Sequence, residues 1–466
     1  MMLFGCSKEP KLTTMSADAL QHYQEGVALW EQFYYSEGKE SFERSLSNDS
    51  AFAMAWARLG MLNLRTHNEP EARADIAKAL RYSSRSTRLE QLYISLWNRQ
   101  IHYVNDEAAE IADSIIMLYP EEKEAYIIRG RFYELDKKLD SAIMLYQKAI
   151  EIDIGYAHAV MLLGYAYSNA GEQSKAISQM ERYIRLSPNV ADPRASYADL
   201  LFRVGRYDEA LVQYKKSLQL KPDYWYSITQ IGQVYMVLGM LDDAEKQFRR
   251  GISLLPQNVQ LEASLIAAEA RLNVYRGEYD RAVQQFQEAL AVDSTSFGAA
   301  YGIVYALSRL KRFREADEMI PLVRAELERR DLAESHWMLG FHLMKARVLR
   351  EQDRLTEARA ACEDAIMFST ALTRGSVYRE LAEIYLKDRS YDNAFEACEQ
   401  ALRINPNSPE VLLTLTKVYH ATSDNRMTQE IGNRLLTLWK NADPDFQYMH
   451  ELQGLLGAKQ SSGLTR

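Results

Sequence analysis

The sequence predicts an all-α fold, an α-solenoid of about twelve stacked helical hairpins ending in a C-terminal capping helix. Three observations carry that expectation. Residue types repeat every 34 positions. Between the repeated marks, apolar residues recur at three and four, the period of a helix. Proline and glycine are scarce, 11 and 21 in 466 residues, so little interrupts helix formation.

Several residue types hold the 34-residue register at once. Gly130, Gly164 and Gly232 fall on it, with Ala198 at the missing step. Ala142, Ala176, Ala210 and Ala244 keep a second phase, and Tyr133, Tyr167 and Tyr235 a third, with Leu201 between them. Pro188, Pro222 and Pro256 keep a fourth, and Pro120 lies two periods before Pro188. Each type has a mechanical reason. A small residue such as Gly164 or Ala176 lets two helix backbones approach. Tyr146, Tyr214 and Phe248 fill the space beside that contact. Proline opens the next unit because it cannot continue a helix interior. Each unit is therefore a helix, a short turn and a second helix.

These marks resemble the tetratricopeptide repeat. The unit starting at Ala157 reads Val160, Gly164, Tyr167, Ala176, Met180, Tyr183, Pro188 at the family's key positions, and the unit starting at Trp225 reads Ile228, Gly232, Tyr235, Ala244, Phe248, Gly251, Pro256. The phase gives units near residues 19, 53, 89, 123, 157, 191, 225, 263, 297, 339, 375 and 409, together spanning 19–442. Residues 1–18 read as a flexible tether, 443–457 as the capping helix and 458–466 as a disordered tail. Extra residues precede the units at 263, 339 and 375, as a lengthened first helix (Asp331–Arg350) or a longer loop (Phe368–Arg374). The resemblance implies a right-handed superhelix whose first helices line a concave groove, with about eight repeats per superhelical turn. It also implies that the groove holds a peptide or protein segment.

Bulk properties narrow the function. The chain is 47% hydrophobic and 26% charged, in the globular range. A net charge of −8 argues against general nucleic-acid binding, which needs a basic face. Neither GxGxxG nor GxxxxGK[ST] occurs, nor HExxH or GxSxG, and the eight histidines are dispersed, so no catalytic, cofactor or metal site is expected. Pairs such as Asp242–Asp243 and Glu121–Glu122 stand where helices start and read as capping groups. Cys362 and Cys398 occupy the same position in adjacent units, about 10 Å apart by helix packing. That is too far for a disulfide, and both read as buried free thiols.

Groove residues follow from helix geometry. Positions 2, 5, 9 and 12 of each first helix point away from the hairpin interior. In the first three units these include Tyr23 and Trp30, then Met61, then Tyr93 and Trp97, an apolar and aromatic stretch where solvent is expected. Farther on come Arg131, Tyr165, Phe202, Tyr226, Arg271, Tyr301, Tyr305 and Arg347, with Arg350 and Arg379, a wall of residue types favoured at binding hot spots. One reading makes Tyr23, Trp30, Tyr93 and Trp97 anchors for a hydrophobic partner segment. The other has the first units, or the tail before them, bury these residues. Some family members clamp chaperone C-termini with an Asn at position 9. No unit here has one, and the first carries Val27.

Residues Leu3-Phe4-Gly5-Cys6-Ser7 resemble the cleavage site of bacterial lipoproteins, in which the cysteine becomes lipidated. Only five residues precede Cys6, without a basic or full apolar region, so an ordinary free cysteine is the other reading. The expected function is a non-catalytic protein-interaction scaffold. If lipidated, it is a tethered adaptor in the bacterial periplasm or outer membrane, and otherwise it is cytoplasmic. The competing class is a sensory or regulatory repeat module of a bacterial signalling or transcription system.

Overall fold

The computed structural model describes residues 12–66, 68–254, 258–329 and 337–457. The Leu3–Ser7 motif with Cys6, Pro256, the first part of the Asp331–Arg350 segment and the tail from 458 lie outside the described residues. Among the described residues there are 25 α-helices and no strand, so the fold is an all-α solenoid. Twelve first helices begin at Ala17, Ala53, Arg88, Lys123, Ala157, Ala191, Trp225, Val259, Phe297, Trp337, Arg374 and Pro409. Each is followed by its antiparallel partner, and Gln447–Leu456 ends the series. The extra residues before the eighth unit lengthen its first helix, Val259–Arg276, to 18 residues, and those before the eleventh leave a loop between Met367 and Arg374.

The small-residue rule operates as physical contact. A Cβ on Gly130 would stand 2.5 Å from the Tyr146 ring, and one on Gly232 would stand 2.7 Å from Phe248. Each aromatic ring thus fills the space that the missing side chain leaves in the helix opposite. The hairpin turns share one device. A residue with positive φ follows the first helix at Phe33, Tyr103, Lys137, Gly171, Gly205, Gly239, Gly277, Lys311, Asp353, Arg389 and Ser423. The next N–H then donates to a carbonyl five residues back, as Met240 does to Tyr235 at 2.9 Å, which closes the helix end.

The chain divides into two compact units, one of residues up to Ala166 with Ser178–Asp192, the other of Tyr167–Ile177 with Pro193 onward. The division falls inside the most regular stretch of the 34-residue period, where the sequence marks no boundary. In the C-terminal unit the coil closes on itself early. The turn of the sixth hairpin meets the loop after the eleventh, with Asn407 donating to the Gly205 carbonyl at 3.1 Å and Asn405 to the Tyr207 hydroxyl at 3.3 Å. The turn of the seventh meets the segment after the twelfth, where the Asp443 N–H donates to the Gly239 carbonyl at 2.9 Å. In the N-terminal unit the Ala191 N–H likewise donates to the Tyr34 hydroxyl at 3.1 Å. Successive coils of the C-terminal unit therefore touch after five hairpins, not the eight that the resemblance implies. Glycine permits it, since a Cβ on Gly205 would collide with the Asn405 side chain and one on Gly239 would stand 2.7 Å from Ala442 and Phe446.

Charge is buried in the N-terminal unit. Arg58 is enclosed and makes a two-pronged contact with Glu124 at 2.7 and 2.5 Å. Glu122 stands at the N-cap of Lys123–Leu135 but makes no capping hydrogen bond. Burial, and then its neighbour Glu124, push its carboxyl up to about 7 from the ordinary 4.5. A raised acid favours the folded state only while it is protonated. That contribution is full below about pH 4.5 and is lost as pH rises through 7. Replacement Glu122→Gln is therefore expected to stabilise the protein at pH 8 and leave it unchanged or weaker at pH 4. Urea midpoints of both proteins across this range test it; a constant difference would refute the assignment.

Cys362 and Cys398 are buried free thiols, and burial pushes Cys398 up to about 12 and Cys362 still further. Among the described residues no helix is long and apolar enough to cross a membrane.

Candidate functional site

The aromatic stretch of the first three units is committed to the interior. Tyr23, Met61, Tyr93 and Trp97 are buried, Trp97 being 2% exposed, and so present no surface to a partner. Their work is internal. The Arg58 guanidinium lies 4.4 Å over the Trp97 ring, and its Nε donates to the Tyr23 hydroxyl at 3.4 Å. Tyr93 stacks on Trp97 at 5.2 Å. These rings shield an ion pair that would be costly without them. The segment before the first helix adds a cover, with Thr13 donating its N–H to Glu90 at 2.8 Å and Leu12 packed on the same core. Trp30 alone of the four expected anchors stays half-buried, against Tyr35 at 5.6 Å.

Arg131 and Tyr165 are half-buried in the same unit. Arg131 faces a like charge, because its field is the chief reason that the Arg65 guanidinium falls to about 10. Phe202 and Tyr226 belong to the C-terminal unit and are half-buried there. Phe202 packs on Tyr207 at 5.6 Å, and the Tyr226 hydroxyl donates to Asp199 at 2.7 Å.

The remaining four residues converge. Arg271, Tyr301, Tyr305 and Arg347 line one cavity of about 650 Å³ in the C-terminal unit. The first helices of five successive hairpins contribute to its wall: Val259–Arg276, Phe297–Arg309, Trp337–Glu351, Arg374–Lys387 and Pro409–Ala421. The terminal helix Gln447–Leu456 adds Tyr448 and Glu451. A volume of this size suits a ligand or a short chain segment. One side is aromatic. Phe297 meets Trp337 edge-on at 5.5 Å, Tyr275 meets Tyr448 at 5.6 Å, and Trp337 is 40% exposed.

The wall also carries an ion-pair chain. Glu380 receives Arg347 at 2.9 Å and Arg350 at 2.8 Å. Lys417 bridges Glu383 at 3.5 Å and Glu451 at 2.9 Å, and Arg379 pairs with Glu410. Burial opposes the Glu383 charge, but Lys417 and Arg350 together hold its carboxyl below the usual range. Arg347 also lies over the Tyr301 and Tyr305 rings at 5.6 and 5.5 Å, and the burial that opposes its charge is outweighed by Tyr301 and Glu380, which strengthen its hold on the proton. The site presents fixed charge and flat aromatic surface. Among the described residues no cluster of three or more His, Cys, Asp or Glu side chains could hold a metal ion.

Sequence geometry found Arg271, Tyr301, Tyr305 and Arg347 but missed Glu380, which seats Arg347 and Arg350. It also passed over Gly171, Gly205 and Gly239, spaced by 34 and carrying the contacts between turns. That spacing was a readable signal.

Comparisons with known proteins agree on the repeat. The tetratricopeptide repeat family matches residues 123–153 and 376–408 through one model and 161–224 through another. The TT21 fifth ARM repeats domain matches residues 195–289. No curated protein matches the chain. Among solved structures, a tetratricopeptide repeat protein from Parabacteroides merdae ATCC 43184 is 16% identical, with 56% of this chain and 98% of that one covered and a TM-score of 0.39. MamA is 24% identical over 34% of this chain and 93% of its own, with a TM-score of 0.30. The human IFIT1 dimer with m7Gppp-AAAA is 16% identical over 92% and 91%, with a TM-score of 0.42. None of the three bears on the partner of this chain. With the helical hairpin running through the described residues and the repeat matched at three places along the sequence, the chain carries tetratricopeptide repeats.

Proposed function

We propose that this repeat scaffold works through the cavity of its C-terminal unit, which receives a segment of a partner protein. The convergence of Arg271, Tyr301, Tyr305 and Arg347 from three successive first helices carries the reading. Tyrosine and arginine dominate binding hot spots because each offers a large rigid face together with hydrogen-bonding groups. Residues on separate hairpins also read several points of a segment at once. Lining side chains are held by ion pairs and ring contacts, so little ordering cost remains for binding.

A photo-crosslinking residue at Tyr305 tests this, with one at Arg314 as the control, whose side chain is 92% exposed away from the cavity. The expected result is capture of one partner at position 305 and not at 314. The crosslinked segment, synthesised as a peptide, then binds the full chain and loses at least about tenfold in affinity, about 1.4 kcal/mol, with Tyr305→Ala. Equal capture at both positions, or equal peptide affinity for both proteins, would reject the cavity as the binding site.

A further inference from the structure

Arg271 differs from the other basic residues of the cavity. Arg347 and Arg350 rest on Glu380, Arg379 on Glu410, and Lys417 on Glu383 and Glu451. Arg309 donates to the Tyr279 hydroxyl at 3.2 Å and lies over its ring. Arg271 has no carboxylate within 4 Å among the described residues, although its guanidinium carries five donors. It stands midway along Val259–Arg276 and is exposed to the cavity, yet protein surrounds it closely enough that burial lowers its hold on the proton, with only Tyr275 and Tyr301 acting the other way. Six basic side chains line this cavity against four carboxylates. The local excess of two positive charges thus falls on Arg309, which the Tyr279 hydroxyl and ring hold, and on Arg271, which has no such anchor. A charge kept in such surroundings without a partner marks a place where a partner binds.

We infer that the cavity recognises an acidic side chain, Asp or Glu, within the partner segment, seated on Arg271 and followed by a large apolar residue against Phe297 and Trp337. This rests on the proposed function and names the chemistry of the same site. A carboxylate matches the planar guanidinium through two parallel hydrogen bonds. A dianionic phosphate matches less well, because four of the other five basic groups are already paired with carboxylates and four carboxylates share the cavity. The apolar neighbour has a surface ready for it, since Trp337 and Phe297 form a partly open aromatic corner beside Gly298 and Gly340.

A positional array of acetylated and amidated nonapeptides, with the centre fixed in turn as each amino acid or as phosphoserine, tests this on the full chain. Asp or Glu at the centre is expected to bind at least about tenfold tighter than Asn or Gln. The preference should rise further with Phe, Leu or Trp at the next position. In Arg271→Gln the preference for acid disappears while the weaker binding of neutral peptides persists, and Arg271→Lys retains part of it. Because Arg271 has no internal partner, Arg271→Gln should leave the urea midpoint unlowered, which separates loss of recognition from loss of fold. Equal binding of Asp and Asn peptides, an unchanged preference in Arg271→Gln, or an Arg271-dependent preference for phosphoserine over Asp would each overturn the inference and leave the scaffold reading standing. If no peptide binds at all, both readings fail.

Discussion

Glu380→Ala should be among the most damaging single substitutions in the C-terminal unit, with an expected loss of about 3–5 kcal/mol of stability. The Glu380 side chain is 2% exposed and is the shared acceptor of Arg347 and Arg350, themselves only 15% and 14% exposed. Removing it leaves two enclosed guanidinium groups with one unsatisfied donor each and mutual repulsion. The loss is one of pairing and not of volume, so two further proteins distinguish the causes. Glu380→Gln keeps the shape and an acceptor but not the charge, and should recover only part of the loss. The triple change Arg347→Met, Glu380→Leu and Arg350→Met removes the buried trio, leaves Glu383 to Lys417 and Thr414, and should recover most of the loss, since burying ion pairs costs as much desolvation as it returns. Urea unfolding followed by tryptophan fluorescence and by circular dichroism gives the comparison. If Glu380→Ala unfolds like the natural protein, the ion-pair chain does not hold this wall.

Trp439→Ala should cost about 3–5 kcal/mol, the range for truncating a large buried aromatic side chain. Trp439 is 1% exposed, meets Phe446 edge-on at 4.9 Å, and donates its Nε1 proton to the Val237 carbonyl at 3.1 Å. It thereby joins the end of the twelfth hairpin to the turn of the seventh. The same contact holds the terminal helix, which carries Tyr448 and Glu451 into the cavity wall. The variant should accordingly lose stability and expose the segment 440–446 to limited proteolysis ahead of any other site. Cleavage elsewhere first, or a midpoint within about 0.5 kcal/mol of the natural protein, would show that the contact is incidental.

The hairpins were legible because their cause is local. Spacing at three and four builds a helix, and a small residue facing an aromatic one repeats wherever two helices touch. Arg271, Tyr301, Tyr305 and Arg347 were legible for a related reason: position along the first helix fixes which way a side chain leaves it. What the sequence could not disclose depends on partners from other hairpins. Arg58 and Glu380 both fall at the sixth position of their units, which the repeat geometry assigns to neither wall nor interior. Arg58 finds Glu124 two hairpins along, and Glu380 finds two arginines on the preceding hairpin. The aromatic residues around Arg58 then looked like a binding surface while serving to bury it. Gly205 and Gly239 keep the 34-residue spacing, but nothing near them in sequence names Asn405 or Asp443, about 200 residues away.

The contacts of the sixth and seventh turns with the segments after the eleventh and twelfth hairpins bear on how such a chain can change length. Repeat arrays grow or shrink by whole units because each unit answers only to its neighbours. Here Gly205 answers also to Asn405 and Asn407, and Gly239 to Asp443 and Phe446. Losing one unit between them would bring these two turns opposite segments with the wrong side chains. The number of hairpins from the sixth to the twelfth is thereby counted by the protein itself, and insertions that leave that count intact are the changes it tolerates.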